Sequence, residues 1–368
     1  MRDVLIVAGE ASGDLHAAGV ARELRAAAPD IHLRGVGGTR MAEAGVELLE
    51  QIAGVVGFVE VIRHVPAHWR LLRRLTAALR SGRFGLALLV DYGGFNLRLA
   101  AAARAAGVPV LYYITPQVWA SRPGRIRTMA RVVSKAAVIL PFEEALLRAN
   151  GIDATFVGHP LLDHVHEIPT REVARARLGL STTDHVLALF PGSRRQEITR
   201  HASDFADVAH NLAGRRPGLK VLVSVAPLSH VDPGTLPFQL VRGASFDVLR
   251  AADVALCKSG TTTLEAAIAG CPSVVVYRIN RLSYALVRRL VTVQHIGLVN
   301  IVAGRTVVPE FVQDAFVPEA VADALDPLFD PDAPARTAML AGLDVVRSRL
   351  GEPGAAARVA RMAIEMLR

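Results

Sequence analysis

Cysteine is scarce in this sequence. The 368 residues include only Cys257 and Cys271, both in apolar surroundings in the second half of the chain. Two thiols cannot build a disulfide framework, and they cannot supply the four thiolates of a structural zinc site. The composition therefore favours a protein of the reducing cytosol.

Long hydrophobic runs are also missing. The longest uncharged apolar stretch, Ala266 to Tyr277, has 12 residues and contains Gly270 and Pro272. A membrane-spanning helix needs about 20 such residues. The apolar stretch at the N-terminus stops at Glu10, which is too early for a signal peptide. We therefore expect no segment that crosses a membrane.

Acidic residues are nearly absent from one part of the chain. The whole sequence has 42 Lys and Arg against 34 Asp and Glu, a formal net charge of +8, and 39 of the basic residues are arginine. Between Glu60 and Glu143 there are 13 basic residues and a single acid, Asp91. This excess favours anionic partners, which are nucleic acid, an anionic membrane surface or a phosphorylated substrate.

The length and the hydrophobic pattern indicate two α/β domains, because 368 residues exceed what one core usually organises. Short apolar runs alternate with helical patterns, which is typical of parallel, doubly wound sheets with crossover helices. The predicted strands are Val4–Ala8, Leu86–Val90, Val110–Ile114, Ala136–Leu140, Thr155–Val157, Val186–Phe190, Val221–Val225, Gln239–Val241, Val254–Leu256 and Ser273–Val276.

The alternation pauses at His159–Thr170, where prolines and polar residues are typical of an interdomain linker. We therefore predict a first domain over residues 1–165, a second over 166–345 and a C-terminal helix over 346–368. This last helix can leave the second domain and return to the first.

Two polar segments follow predicted strands of the first domain. Gly9–Asp14 (GEASGD) comes directly after the first strand and precedes a helix, so its polar groups lie at the carboxyl edge of the sheet, where α/β proteins bind ligands. Its spacing is not that of a dinucleotide-binding loop, and the alternative is a glycine turn in which Asp14 caps the next helix. Asp91 ends a second strand inside the basic region, where it can serve as a general base, or as a helix cap or structural ion pair.

Two glycine-containing loops of the second domain share one design. Pro191–Glu197 (PGSRRQE) and Lys258–Glu265 (KSGTTTLE) each follow a predicted strand and lead into a helix. Such loops aim backbone N–H groups at an anion, and Arg194 adds a guanidinium, so a diphosphate fits there. The alternative is that both are ordinary helix N-caps.

A mixture of apolar residues and arginines covers Ile52–Arg83, as expected of a surface that touches lipid, although an ordinary helix with a solvated basic face gives the same pattern. His64 and His68 have helical spacing but no third ligand, so we interpret both as surface residues and predict no metal site. Asp330 and Asp332 lie in a proline-containing turn and are discounted as a cation site.

With these loops in order, the chain closely resembles the lipid-A-disaccharide synthase family, bacterial glycosyltransferases of the inverting, two-domain GT-B type. The matching stretches are Val7–Asp14, Gly35–Met41 with Ala44–Glu47, Val56–Val61, Val90–Asp91 with Phe95–Asn96, Tyr112–Ala120, Leu140–Glu143, Val157–Asp163, Leu187–Arg194 with Glu197, Lys258–Glu265, Tyr277–Arg278, and Leu298–Arg305 with Val308–Gln313.

The resemblance implies a reaction and a set of partners. A 2,3-diacylglucosamine unit passes from UDP-2,3-diacylglucosamine to 2,3-diacylglucosamine 1-phosphate, which gives a β-1,6 disaccharide 1-phosphate and UDP without a cofactor or metal. It also implies two Rossmann-like domains facing a cleft, and a cytoplasmic enzyme held peripherally at the anionic inner face of the cytoplasmic membrane. A homodimer stays open, and nucleic acid is not an expected partner.

The resemblance also assigns residues. Asp91 matches the proposed base, and Arg194 with Ser193 would stabilise the departing UDP, aided by the helix N-termini after Gly192 and Gly260. Glu10, Ser12, Gly13 and Asp14 would face the cleft on the acceptor side. The remaining donor-side residues are Glu197, Ser259, Thr261, Glu265 at the ribose, and Asn300, Glu310 and Gln313 near the nucleotide.

One departure from the family concerns the loop after the candidate base. Where the family often reads IDAPDFN, this chain has VDYGGFN over residues 90–96, so Gly94 stands at the second acidic position. The candidate base is kept, but any role of a second carboxylate is lost. Gly93 and Gly94 are also far more permissive than a Pro-Asp pair.

Two other functions fit parts of the pattern. One is a different GT-B enzyme that uses a UDP-sugar, such as the transferase that makes lipid II, or a UDP-sugar epimerase. The other is a basic nucleic-acid-binding protein, which the arginine excess favours. The chain has no recognition-helix module or aromatic RNA-binding motif to support the latter.

Overall fold

A computed structural model of the chain describes residues 3–51, 65–120, 124–226, 235–280 and 294–368. The chain divides into two compact units. Unit 1 consists of Met1–Asp163 together with Gly351–Arg368, and unit 2 of His164–Leu350. Each unit is built on one fully parallel sheet, so the predicted fold class of two doubly wound α/β domains is confirmed.

The strands of the two units follow the same order. Unit 1 contains β1 Asp3–Ala8, β2 Leu33–Gly37, β3 Glu47–Gln51, β4 Phe84–Val90, β5 Val110–Tyr113, β6 Lys135–Val138 and β7 Ala154–Phe156, arranged 3-2-1-4-5-6-7. Unit 2 contains β8 Val186–Phe190, β9 Lys220–Val225, β10 Gln239–Arg242, β11 Val254–Lys258, β12 Ser273–Tyr277 and β13 Glu310–Val312, arranged 10-9-8-11-12-13.

Helices connect the strands. Those of unit 1 are α1 Ala11–Ala27, α2 Thr39–Glu43, α3 Val65–Arg80, α4 Gly93–Ala105, α5 Arg125–Val132 and α6 Pro141–Arg148. Those of unit 2 are α7 Arg171–Arg177, α8 Arg195–Arg215, α9 Ser245–Ala251, α10 Thr262–Ala269, α11 Leu298–Ala303, α12 Pro318–Leu325 and α13 Pro334–Arg349. The chain ends in α14, Ala355–Leu367, and 3₁₀ turns lie at Pro160–Glu167, Gln313–Ala315 and Asp326–Phe329.

The central strands are mostly apolar because helices cover both faces of each sheet. In β1 all six residues are buried. Val4, Ile6 and Ala8 enter one hydrophobic cluster, and Leu5 and Val7 enter another on the opposite face. This two-residue alternation is the side-chain period of a strand.

Three strands were not predicted from the sequence. β2 reads LRGVG, β3 reads ELLEQ at the edge of the sheet, and β13 has only three residues. Polar residues are tolerated in β3 because an edge strand is half exposed, so its hydrophobic signal is weak. Helices α1 and α4 begin at Ala11 and Gly93, within the polar segments that follow β1 and β4.

The helix expected over residues 346–368 is α14, Ala355–Leu367, which belongs to unit 1, whereas residues 346–349 are part of α13. Val359 and Ala363 of α14 are fully buried in the cluster that also contains α1. The Asp163 carboxylate fixes the start of α14, because it accepts the backbone N–H groups of Gly354 and Ala355 at 2.7 and 3.0 Å. This carboxylate caps a helix 191 residues further along the chain.

Candidate active site

Each sheet has one point where the strand order reverses, and both predicted ligand sites lie at these points. In unit 1 the reversal is between β1 and β4, and in unit 2 it is between β8 and β11. Open parallel sheets bind ligands at the carboxyl ends of the strands beside such a reversal, because the crossover helices there lie on opposite faces. The loops singled out from the sequence follow these four strands.

Asp91 follows β4 directly, and its backbone is held on both sides. Its N–H donates to the Tyr113 carbonyl at 3.0 Å. Its carbonyl accepts the Asn96 side-chain amide and the Tyr112 hydroxyl, each at 2.8 Å. The position of the Asp91 carboxylate is therefore set by β5 and α4, and not by its own strand alone.

The surroundings of Asp91 favour its protonated form more than water does. Burial raises the pKa of the Asp91 carboxyl above its usual range, and the nearby Glu10 carboxylate raises it further. A carboxylate with a raised pKa accepts a proton more readily at neutral pH, as a general base must. This is the chemistry that the sequence pattern indicated for Asp91.

The Tyr92 ring covers the first glycine of the GEASGD loop. A Cβ at Gly9 would lie 2.1 Å from Cγ of Tyr92, so only glycine fits. The ring also stacks on Phe95, with 5.2 Å between centroids, and the Tyr92 hydroxyl forms a hydrogen bond with Nε2 of His68. His68, which we interpreted as a surface residue, is partly exposed and also bonds Tyr92, and His64 lies outside the described residues.

Asp14 is buried and caps a helix, though not the one expected. It lies inside α1, and its carboxylate accepts the N–H groups of Gly38, Arg40 and Met41 at 2.7, 3.1 and 3.2 Å, at the start of α2. A Cβ at Gly38 would come within 2.7 Å of this carboxylate. The end of the GVGG stretch, residues 35–38, therefore provides a backbone N–H group that binds Asp14.

The other residues implied on the acceptor side differ in exposure. Glu10 and Ser12 are exposed at the start of α1, whereas Gly13 is buried against Ala8 and the Val90 carbonyl. Their contact with an acceptor stays a prediction. At Gly94, a Cβ would meet nothing within 4 Å, so the backbone there has room for the aspartate that the family often has.

A buried carboxyl joins two further motifs of unit 1. Glu143 is 3% exposed, and its oxygens accept the Trp119 indole N–H at 3.0 Å and the Leu140 backbone N–H at 3.1 Å. Burial raises the pKa of Glu143 to about 7, although these hydrogen bonds oppose the rise. Glu143 thereby fixes the loop that follows β5 next to the Asp91 loop.

In unit 2, Glu197 organises the loop after β8. Gly192 has a φ of +128°, which favours glycine, and a Cβ there would lie 2.7 Å from a Glu197 oxygen. The carboxylate accepts the N–H groups of Ser193 and Arg194 at 3.2 and 3.4 Å. The sequence pattern predicted that these amides face a bound anion, and the structure gives them Glu197 as an acceptor.

Lys258 balances the charge of Glu197. Its Nζ lies 3.0 Å from the Glu197 carboxylate and 5.5 Å from the centre of the Tyr277 ring. Burial raises the pKa of Glu197, but Lys258 and Arg194 outweigh it, so the pKa is lowered. Lys258 starts the KSGTTTLE motif, and its ion pair joins the loop after β11 to the loop after β8.

A neutral histidine, His201, supports α8, the helix that carries Glu197. His201 is buried, its Nδ1 donates to the Glu197 carbonyl at 2.8 Å, and its Nε2 accepts the Arg278 backbone N–H at 3.2 Å. These partners assign the tautomer. Burial lowers the pKa of His201, so the ring connects α8 to the end of β12 without carrying a charge.

The loop after β11 leads into the N-terminus of helix α10. Ser259 donates its hydroxyl to the Ile296 carbonyl at 2.7 Å, and Gly260 has a φ of +156° before Thr261 and the eight-residue helix α10. Burial raises the pKa of Glu265 on this helix, against a hydrogen bond with Ser245. The ribose contact of Glu265 stays a prediction.

Three residues expected near the nucleotide bind the chain itself. Asn300 is fully buried, and its side chain bonds the Val308 backbone and Glu310. Glu310 also accepts the N–H groups of Ile296 and Gly297 at 2.9 Å each. Gln313 forms two hydrogen bonds with the backbone of Ile279. Their polar atoms therefore shape the loops around β12 and β13.

Within the described residues, no group of three His, Cys, Asp or Glu side chains could hold a metal ion. None of the helices described is both long and apolar enough to cross a bilayer.

The residues that the sequence reasoning missed are Tyr92, His68, Asn96, Glu143 and Lys258. All but His68 lie inside matched motifs or between matched positions, yet their partners are distant in the chain.

Comparison with known proteins identifies the family. Residues 4–345 match the family model described as lipid-A-disaccharide synthetase. The protein named lipid-A-disaccharide synthase of Myxococcus xanthus (strain DK1622) is 43% identical over 99% of this chain and 97% of its own length. The protein of the same name from Anaeromyxobacter sp. (strain K) is 44% identical, with the same two coverages.

Solved structures support the fold. A UDP-GlcNAc 2-epimerase from Neisseria meningitidis, bound to UDP-GlcNAc, has a TM-score of 0.63 at 12% identity and covers 99% of both chains. A MurG from Acinetobacter baumannii has a TM-score of 0.57 at 14% identity, over 99% of this chain and 100% of its own. Given the match over nearly its whole length, the chain belongs to the lipid-A-disaccharide synthetase family, which are glycosyltransferases of lipid A biosynthesis.

Proposed function

We propose that this protein transfers 2,3-diacylglucosamine from UDP-2,3-diacylglucosamine to the 6-hydroxyl of 2,3-diacylglucosamine 1-phosphate. The products are the β-1,6 lipid A disaccharide 1-phosphate and UDP. The observation that carries this proposal is the partly buried Asp91 carboxyl, with its raised pKa, at the strand-order reversal of unit 1. Family membership supports the substrate class.

The transfer reaction requires one residue to accept the proton of the attacking hydroxyl. The acceptor 6-hydroxyl attacks the anomeric carbon from the side opposite UDP, so the new C–O bond forms as the bond to the β-phosphate breaks and the configuration inverts. Asp91 takes the proton of the acceptor 6-hydroxyl while the oxygen of that hydroxyl attacks the anomeric carbon. The raised pKa of Asp91 makes this transfer more favourable than it would be for an exposed aspartate.

The leaving diphosphate needs positive charge. Arg194, whose side chain is 53% exposed, and the N-terminus of α10 after Gly260 supply it. The amides of Ser193 and Arg194 donate to Glu197, so in this proposal they hold the loop in shape while the Arg194 guanidinium meets the diphosphate. Such charge stabilisation needs no metal ion.

The test is product formation by the purified protein from both substrates, followed by mass spectrometry. Asp91→Ala should lower turnover by about 10²–10⁴-fold, as expected for a lost general base. Arg194→Ala should lower it by about 10²–10³-fold, as for a lost oxyanion contact. Asp30→Ala and Arg177→Ala, exposed residues of the two units, are the matched controls.

Two outcomes would contradict the proposal. Full turnover by both variants would remove Asp91 and Arg194 from the reaction. Conversion of the UDP-sugar to an epimer, with no disaccharide formed, would instead assign the chain to the chemistry of a UDP-sugar epimerase.

We also propose that unit 1 binds the anionic, cytoplasmic face of the membrane. Helix α3 buries Leu75 and Leu79 and exposes Arg70 and Arg73. On the same helix the Trp69 side chain is 50% exposed, with the Arg98 guanidinium 5.3 Å from its ring. An aromatic ring among arginines suits a lipid headgroup region. The rest of the predicted segment, residues 52–64, lies outside the described part of the chain.

Flotation with vesicles that contain phosphatidylglycerol tests this proposal. Replacing Arg70, Arg73 and Arg74 by Gln should weaken flotation, by about 1 kcal/mol for each charge near the surface. A matched control neutralises Arg177, Arg347 and Arg361. Equal flotation of the two triple variants would contradict the role of α3.

A further inference from the structure

The loop that carries Asp91 has an unusual backbone. Asp91 and Tyr92 are consecutive non-glycine residues with φ of +51° and +55°. Left-handed conformations of this kind cost about 1–3 kcal/mol each, and they persist only where surrounding contacts enforce them. Gly93 and Gly94 follow at once and add no stiffness of their own. The place of the carboxylate therefore depends on what holds Asp91 and Tyr92.

The Tyr92 side chain supplies contacts to three separate segments. Its ring stacks on Phe95 one turn into α4 and packs against Gly9 of the loop after β1. Its hydroxyl forms a hydrogen bond with Nε2 of His68 in α3. Its backbone carbonyl accepts the N–H groups of Phe95 and Asn96, so Tyr92 also begins α4.

His68 connects this loop to the core. Its ring lies edge-on to Phe95, with 6.2 Å between centroids, while its nitrogen bonds Tyr92. Its helix is anchored by Leu75 and Leu79, which are 2% and 1% exposed in the cluster beneath the sheet. A displacement of the Tyr92 hydroxyl is therefore resisted by a helix that is itself packed on the sheet.

We propose that Tyr92 and His68 are positioning residues for Asp91. Their hydrogen bond holds the Asp91 loop in its left-handed conformation, and the Tyr92 ring limits the access of water to the carboxylate. The pair gives a glycine-containing loop the stiffness that a proline at position 93 would supply. The inference rests on the proposed function of Asp91 as the base.

Two variants that keep the aromatic rings test the pair. Tyr92→Phe retains the stacking on Phe95 and Gly9 and removes the hydroxyl, and His68→Phe retains a ring beside Phe95 and removes the nitrogen. Each should lower kcat about tenfold, with both KM values changed by less than about twofold, because a small displacement of the base acts on the chemical step. The double variant should match the single variants, since either change breaks the same bond.

The pH profile separates positioning from a general loss of folded protein. The groups that act on Asp91 or face its loop are Glu10 after β1, Tyr112 on β5, Arg125 on α5 beside Gly93, and Tyr92 with His68. A loosened loop admits water, so the acidic limb of kcat/KM should move to lower pH in Tyr92→Phe, by about half a unit. A loss of folded protein lowers the profile without moving it.

His210→Phe is the matched control. This exposed histidine of α8, in unit 2, has its ring 5.8 Å from that of Phe238. Its replacement should leave kcat and the acidic limb unchanged, with thermal melts confirming that all variants fold.

Three results would overturn the inference: wild-type kcat in Tyr92→Phe, an acidic limb that does not move, or additive losses in the double variant. If Asp91→Asn is inactive while Tyr92→Phe keeps full kcat, the inference fails and the proposed function stands. Full activity of Asp91→Asn would overturn the proposed function itself.

Discussion

The two units use the same strand order to create opposite electrostatic environments. At the reversal point of unit 1, Glu10 and Asp91 follow β1 and β4, and burial with like charge raises the pKa of Asp91. At the reversal point of unit 2, Glu197 follows β8 and Lys258 ends β11. Their ion pair lowers the pKa of the carboxyl.

The difference shows that loop residues, and not the sheet, set the chemistry of each edge. Unit 1 bends its loop with the non-glycine residues Asp91 and Tyr92, which then need side-chain contacts to hold them. Unit 2 bends its loops with Gly192 and Gly260, which reach positive φ without strain. In the proposed function, the first edge supplies the proton acceptor and the second binds the diphosphate.

Among the changes that compare the two units, removing the Lys258 charge should have the largest effect. In Lys258→Met, Glu197 loses its partner in partly buried surroundings, so its pKa rises and its hold on Ser193 and Arg194 weakens. We expect UDP affinity, measured by calorimetry, to fall by about 10–100-fold, as for a broken, partly buried ion pair. Lys135→Met, whose ion pair with Asp153 spans 3.9 Å, is the control and should bind UDP normally. Unchanged UDP affinity in Lys258→Met would show that the ion pair does not shape the site.

Gly192→Ala tests whether unit 2 depends on glycine at its bend. The new Cβ meets Glu197 at 2.7–2.8 Å, and φ is +128°. We expect a loss of about 2 kcal/mol in the stability of unit 2, measured by hydrogen exchange, together with weaker UDP binding. Gly214→Ala in α8, the helix that follows this loop, has nothing within 4 Å of the new Cβ and should instead stabilise by about 0.5–1 kcal/mol. A neutral Gly192→Ala would mean that the loop has another conformation available.

Glu143→Gln tests how burial acts on the carboxyls of unit 1. The folded-state pKa of about 7 lies above the unfolded value of 4.5. Folded wild type therefore retains a proton that the unfolded chain has lost, and its stability falls as pH rises between these values. The unfolding free energy of wild type minus that of Glu143→Gln should fall by about 1.4 kcal/mol per pH unit across this window.

Tryptophan fluorescence can follow this transition, because both tryptophans of the chain, Trp69 and Trp119, belong to unit 1. Glu144→Gln, one residue along the same helix and paired with Arg148, is the control and should keep the slope of the wild type. A flat difference between wild type and Glu143→Gln would show that Glu143 is ionised throughout this range.

The smallest effect is expected at Glu10. Its charge raises the pKa of Asp91, so Glu10→Gln should move the acidic limb of kcat/KM to lower pH by roughly half a unit. The exposed Glu23→Gln on the same helix is the control. A limb that stays in place would leave burial as the dominant cause of the raised pKa.

Much of the architecture could be predicted from the sequence, because a strand buried on both faces leaves a continuous apolar run. Val186–Phe190 was predicted with its observed bounds for this reason. Glu47–Gln51 was missed because an edge strand needs no such run, and Leu33–Gly37 because Arg34 and two glycines interrupt its apolar run. Gly35 is in fact required there, since a Cβ would lie 1.9 Å from the Ile6 carbonyl oxygen.

The site was predictable only as a set of loops. Strand ends and glycines identified Asp91, Gly192 and Gly260, because those signals are local. Hydrogen bonds and ion pairs between residues that are distant in the chain have no local sequence signal. Asp14 bonds Gly38, 24 residues away, His68 bonds Tyr92 across another 24, and Lys258 pairs with Glu197 across 61.

The return of α14 to unit 1 has a consequence for synthesis. The ribosome makes the sheet of unit 1 first, yet the cover formed by Val359 and Ala363 emerges only after all of unit 2. The apolar face that α14 covers therefore stays exposed in the nascent chain until synthesis ends. Such a face promotes aggregation and binds chaperones. A stop codon near position 350 would damage the part of the protein that was translated earliest.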